Sequence, residues 1–193
     1  GFVRSRWGLK KKPLRWWEVV VFFGIACLVL FADWLHDWTA GITRNRIDVA
    51  SEPFTLDTQP LHLPSAGAKV IGREAGICLV VADEALPLSV SRGIPEEARS
   101  LLGGRQVLAE AVVESGKRYT LNPTSLSSGR HGFLFLSGET AVCFNAACEC
   151  GKQPQGFEEI PTGTAIREIV LSSDGPTPLR RAYWQSTSRS RDP

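Results

Sequence analysis

The sequence predicts a mainly β protein: a single N-terminal transmembrane helix, then a β-sandwich or jelly-roll-like extracytoplasmic domain with one short helix. Three observations predict it. An apolar run bracketed by tryptophans, RWWEVVVFFGIACLVLFADWLHDW, occupies residues 15 to 38. Short runs of β-branched and aromatic residues, separated by Gly, Pro, Ser and Asp, fill the chain after Ala68. One stretch only, SRGIPEEARSLLGG, carries helix start and stop signals.

The uninterrupted apolar core runs from Val19 to Ala32. It is fourteen residues long, short for a span. Its flanks lengthen it. From Trp16 to Leu35 a helix would rise about 30 Å, the thickness of the hydrocarbon layer. Trp16, Trp17, Trp34 and Trp38 sit at the two ends, where amphipathic indole rings anchor a helix at the membrane interface. A signal peptide fits less well, because cutting after Ala40 would put Trp38 at the −3 position, where a small residue belongs. Apolar residues on every side of 19–23 leave no polar stripe for a soluble helix.

Charge sets the expected orientation. The chain has 193 residues with 22 Lys/Arg against 20 Asp/Glu. Arg4, Arg6, Lys10, Lys11, Lys12 and Arg15 precede the apolar run, and no Lys or Arg follows until Arg44. The positive-inside rule then puts the tail in the cytoplasm and the body in the periplasm of a bacterium. The expected division is a basic cytoplasmic tail (1–15), a transmembrane helix (16–38), a connector (39–67), a β-rich extracytoplasmic domain (68–186) and a flexible tail (187–193). Because the basic cluster abuts an apolar run, its reading is topological and nucleic acid is not an expected partner.

The connector holds Gly41, Pro53, Pro60 and Pro64 without sustained periodicity, with Ile47, Val49, Phe54 and Leu56 as short extended pieces. Expected strands are 69–72, 77–82, 87–91, 106–114, 117–121, 132–137, 140–144, 165–173 and 179–186. Val107, Ala109, Ala111 and Val113 alternate with Glu110 and Glu114, as a half-buried strand requires. Phe133 to Leu136 is apolar on both faces and reads as a central strand. Glu114-Ser115-Gly116-Lys117 suits a hairpin turn, and so does Ser137-Gly138-Glu139. In the helix, Pro95 suits the first position, Glu96 and Glu97 the positive end of the dipole, and Gly103 and Gly104 the stop. Eight or nine strands in so short a stretch predict a sandwich or jelly roll.

No catalytic constellation emerges. Ser127, Ser128 and His131 share one expected loop without a G-x-S-x-G elbow. His62 also falls in an expected loop. Glu158 and Glu159 are adjacent, so in a strand they would point apart. No phosphate-binding glycine loop is present. Cys27 lies within the apolar run. Cys78, Cys143, Cys148 and Cys150 fall on the exterior side as disulfide candidates. Cys148 and Cys150 are too close to pair comfortably with one another. One therefore joins Cys143 and the other Cys78, or a single pair forms. No metal site is expected, since the C-x2-C knuckles of structural zinc sites are absent.

In ADWLHDW, Ala32 lies one turn before His36 and Trp38 follows. This A-x-x-x-H spacing resembles the pigment-binding helix of bacterial light-harvesting antenna polypeptides. The resemblance covers only residues 32 to 38, and it departs in the flanking Asp33 and Asp37 and in the greater length of this chain. It implies a histidine at membrane depth ligating haem or bacteriochlorophyll. Otherwise no cofactor is expected. RRAYW (180–184) reads as Tyr183 and Trp184 packed beneath arginines. With Arg4, Arg6 and Lys10 to Lys12, Arg180 and Arg181 are candidates for contact with a partner.

The expected function is a non-enzymatic, single-pass accessory subunit of a bacterial inner-membrane complex. Its partners would be other membrane subunits and the bilayer, and its periplasmic domain would brace or recruit those subunits. Two alternatives are a pigment- or haem-associated subunit of a photosynthetic or respiratory complex using His36, and a membrane-anchored periplasmic binding module.

Overall fold

Strand-forming sequence dominates the chain, and the backbone follows it into one eight-stranded antiparallel sheet. The computed structural model describes residues 15–17, 19–27, 42–72, 74–88, 93–131, 137–147 and 158–189. The strands are β1 (Ile42–Ala50), β2 (Phe54–Leu56), β3 (Leu61–Pro64), β4 (Glu74–Ala82), β5 (Val107–Val113), β6 (Arg118–His131), β7 (Ser137–Ala147), β8 (Ile166–Ser173), β9 (Thr177–Leu179) and β10 (Arg181–Arg189). The large sheet runs β1-β10-β4-β7-β6-β5-β8-β3, and β2 pairs with β9 apart from it. The two edge strands β1 and β3 approach one another, so the sheet is nearly closed.

This corrects the expected sandwich. A sandwich needs two sheets facing each other, whereas here one continuous ladder curls until its edges meet. Both solutions bury one apolar face of alternating strands, which is why alternation does not separate them. The interior holds Ile77 and Leu79 of β4, Phe144 of β7, Leu171 of β8 and Trp184 of β10, all essentially inaccessible. Trp184 Nε1 donates to the Lys69 carbonyl at 2.9 Å and to Ser186 Oγ at 3.0 Å, so its burial leaves no polar atom stranded.

The expected strands 77–82, 106–114, 117–121, 140–144, 165–173 and 179–186 correspond to β4, β5, β6, β7, β8 and β10. The 69–72 run makes only an isolated bridge, Lys69 to Ala165. Residues 87 and 88 are not strand, and 89–92, like 132–136 with Phe133 to Leu136, lie outside the described residues. The hairpin at Gly116 is as expected. Its amide donates to the Val113 carbonyl at 2.8 Å, and its φ of 85° is one a glycine adopts freely. The turn expected at Ser137-Gly138-Glu139 is instead part of β7, with Glu139 opposite Gly129. The connector is corrected too. It supplies β1, β2 and β3, and β1 pairs with β10 along its whole length. That pairing draws Thr187 to Arg189 out of the expected flexible tail and into β10.

Two helical stretches are described. The interior one, α2 (Ile94–Leu101), matches its sequence signals, with Pro95 at its start and Ala98 and Leu102 packed into the core. Near the N-terminus, residues 16–17 and 19–27 are helical, the latter being α1. Phe22 and Phe23 are 74% and 72% exposed, and Val19, Val20, Val21 and Ile25 are also bare. Among the described residues no helix is long and apolar enough to cross a membrane. The expected 16–38 span is thus not supported by the described residues. Residues 28–41, with Trp34, His36 and Trp38, lie outside the described part, as do Arg4, Arg6, Lys10, Lys11 and Lys12.

Candidate functional site

The exterior of the sheet carries a buried charge at Glu139; the other buried carboxyl among the described residues is Glu97 on α2, 5% exposed. Along β7 the side chains alternate, so Val142 and Phe144 point to the core while Glu139, Ala141 and Cys143 point outward. Register then lines up Tyr183 of β10, Cys78 of β4 and Cys143 of β7 across the outer face. Cys78, Val80, Ala141, Cys143 and Tyr183 form a small apolar cluster there. Glu139 sits at its end and is 1% exposed.

A carboxylate this deep needs partners to offset lost hydration. It has three. Arg46 Nη1 donates to Oε1 at 3.0 Å, Arg181 Nη2 to Oε2 at 2.5 Å and the Tyr183 hydroxyl to Oε1 at 3.1 Å. The Arg46 guanidinium lies over the Tyr183 ring, 3.5 Å from its centroid, a cation–π contact. Its side chain starts on β1 and crosses β10 and β4 to reach β7. Asp48 stands 3.6 Å from the other side of the same guanidinium.

Electrostatics fix the protonation states. Burial pushes the Glu139 carboxyl up, but the Arg46 charge and the bonds from Arg181, Tyr183 and Arg46 outweigh it. The net shift is below the ordinary carboxylate value. Burial first, then the Glu139 charge, pushes the Tyr183 phenol up to about 12. Near neutral pH the first is firmly ionised and the second firmly protonated. Through these bonds the shared carboxylate ties β1, β7 and β10 together.

Beside this clamp, Cys78 and Cys143 form a disulfide. Of the two expected alternatives, pairing of each with Cys148 or Cys150 is corrected, while a single pair agrees with the described residues. Cys78 and Cys143 are directly opposed on neighbouring strands, with Cα atoms 4.0 Å apart. Cys148 and Cys150 lie outside the described residues, and Cys27 is a free thiol on α1. Of the candidate partner residues, Arg181 is engaged in the clamp, while Arg180 is exposed and 3.7 Å from Asp83. Trp16 and Trp17 are exposed. The arginine-over-aromatic reading of RRAYW holds for Tyr183, but the arginine on its ring is Arg46, and Trp184 faces the core.

His62 is on β3, with Nδ1 2.9 Å from Glu168 Oε1, and His131 is on β6 rather than in a loop. Glu158 binds Lys117 on the surface. Among the described residues no group of His, Cys, Asp and Glu gathers as metal ligands would. Sequence reasoning missed Arg46 and Glu139, because one fell in the connector and the other in a supposed turn. No local pattern marks either. Comparison with known proteins adds no relative: no family model, no curated protein and no solved structure matches the chain.

Proposed function

We propose that the chain is a non-enzymatic subunit of a bacterial inner-membrane assembly, held by its N-terminal apolar segment with its β-body in the periplasm. The observation that carries this reading is the bare apolar face of α1. A helix apolar on all sides needs lipid or an apolar partner around it. The residues that follow it, through Trp38, extend the apolar run toward spanning length. The basic residues before it favour a cytoplasmic N-terminus.

Two features of the body support the same assignment. The Cys78–Cys143 disulfide suits an oxidising compartment. The clamp of Arg46 on Glu139 fastens β1, the first strand after the anchor, to β7 in the middle of the sheet. A body tied together in this way is a firm surface for bracing or recruiting other subunits. Gentle solubilisation and native isolation test the proposal. Stoichiometric companion chains are the expected result, and migration as a lone monomer would count against it.

A further inference from the structure

A second feature lies away from the clamp, where α2 rests on β5 and β6. A cleft of about 200 Å³ opens between them. Its floor is apolar and buried: Ala98 and Leu102 from the helix side, Leu121 and Phe144 from the sheet. Its lining includes Arg99 and Arg105 and the neutral Gln106, Thr120 and Asn122. Among the described residues no carboxylate lines it.

Arg46, Arg118, Arg180 and Arg181 are each paired with a carboxylate. Arg99 and Arg105 have no carboxylate partner among the described residues. Arg167 on the surface of β8 is likewise without a carboxylate partner among the described residues, but it does not line this cleft. Arg105 is also held in place. Its guanidinium lies against Gly175, where a Cβ would come within 2.9 Å of Cζ. Several carbonyls at the C-terminal end of α2 are already occupied by backbone donors. The amides of Leu102, Gly103, Gly104 and Arg105 donate to Ala98, Ser100, Arg99 and Leu102. The exposed Leu108 (47%) extends the apolar wall outward.

We propose that this cleft binds a small amphipathic monocarboxylate, its charge taken by Arg99 and Arg105 and its short apolar chain laid on Ala98, Leu102, Leu121 and Phe144. Two guanidiniums suit a carboxylate, which accepts paired bonds from their forked donors. The floor suits a few methylenes and excludes a fully hydrated ion such as sulfate. The site is independent of the clamp and of membrane anchoring.

The test uses the full chain in lipid nanodiscs, with hexanoate as the probe and empty nanodiscs as the blank. Amide and arginine side-chain NMR shifts are followed during titration. Saturable shifts at Leu102, Leu121 and Arg105 are expected, with a Kd on the order of 1 mM for so small a ligand. R99Q/R105Q should weaken binding about tenfold or more, and hexanol should bind wild type and variant equally weakly. Both arginines are exposed, so the variant should fold, and unchanged shifts elsewhere verify this. As a second arm, R99E/R105E should lose hexanoate and acquire hexylamine. Equal hexanoate affinity in wild type and R99Q/R105Q would overturn the proposal. So would no saturable shift, or shifts at these residues with an acidic hexapeptide but not with hexanoate.

Discussion

Replacing Glu139 by Gln keeps the shape of the side chain and removes its charge. The magnitude follows from the surroundings. Glu139 is buried, but the side chains of Arg46 and Arg181 are 37% and 38% exposed. Stripping one partner from a fully buried ion pair costs about 3–5 kcal/mol, whereas losing an exposed pair costs at most about 1 kcal/mol. Water can reach both guanidiniums after the change, so the loss falls between these limits, at about 2–3 kcal/mol. The sign with pH follows from the lowered Glu139 pKa. A carboxyl lowered on folding contributes stability above its unfolded pKa, and that stability fades as pH falls through the folded value. The gap between wild type and E139Q should therefore be constant around neutrality and shrink below its ordinary value of 4.5. Urea unfolding of the full chain in nanodiscs, followed by near-UV circular dichroism at several pH values, reads both. A double-mutant cycle with R46Q should return a coupling of about 1 kcal/mol or more. A gap under about 0.5 kcal/mol at pH 7, or one that does not narrow in acid, would refute the clamp.

Three further perturbations probe the same body. Tyr183→Phe keeps the ring beneath Arg46 and deletes one donor to Glu139, so a loss of about 1–2 kcal/mol is expected by the same unfolding assay. Ultraviolet titration of wild type should show one phenol ionising near 12. Its stabilising effect should be present below its ordinary value of 10.0 and disappear as pH rises toward 12. Replacing Cys78 and Cys143 together by Ala opens a link with a sequence separation of 65. Chain entropy puts the loss at about 4 kcal/mol or somewhat less, readable as a lower urea midpoint that no longer responds to reductant. Gly76→Ala puts a Cβ within 2.2 Å of the Phe144 carbonyl oxygen and 2.8 Å of the Asn145 Cα. Since backbone must move, a loss above about 2 kcal/mol and broadened amide signals along β4 and β7 are expected.

Much of this fold was legible because local rules and tertiary outcome agree. Pro95, Glu96, Glu97 and the Gly103–Gly104 pair mark α2 at both ends, and Gly116 marks a hairpin. The apolar run at 77–82 reads as a strand, and β4 contains it. Sheet closure was not legible, because an alternating strand buries the same side chains in a sandwich and in a curled sheet. Nor was β1. Its Arg44, Arg46 and Asp48 give a polar segment whose extended form comes from pairing with β10, far along the chain. The clamp shared that obscurity: Arg46 and Glu139 meet across 93 positions. The disulfide was half legible. Cys78 and Cys143 were two of four candidates, and only the β4–β7 register decides that Cys78 faces Cys143.

The most direct measurement of the central claim is amine labelling of intact spheroplasts with a reagent that cannot cross a bilayer, followed by peptide mapping. The exposed Lys69 and Lys117 of the body should be modified, and Lys10, Lys11 and Lys12 should react only after the membrane is permeabilised. Labelling of Lys10 to Lys12 in intact cells with the body spared would contradict the orientation. It would take with it the periplasmic assignment and the role given to the anchor.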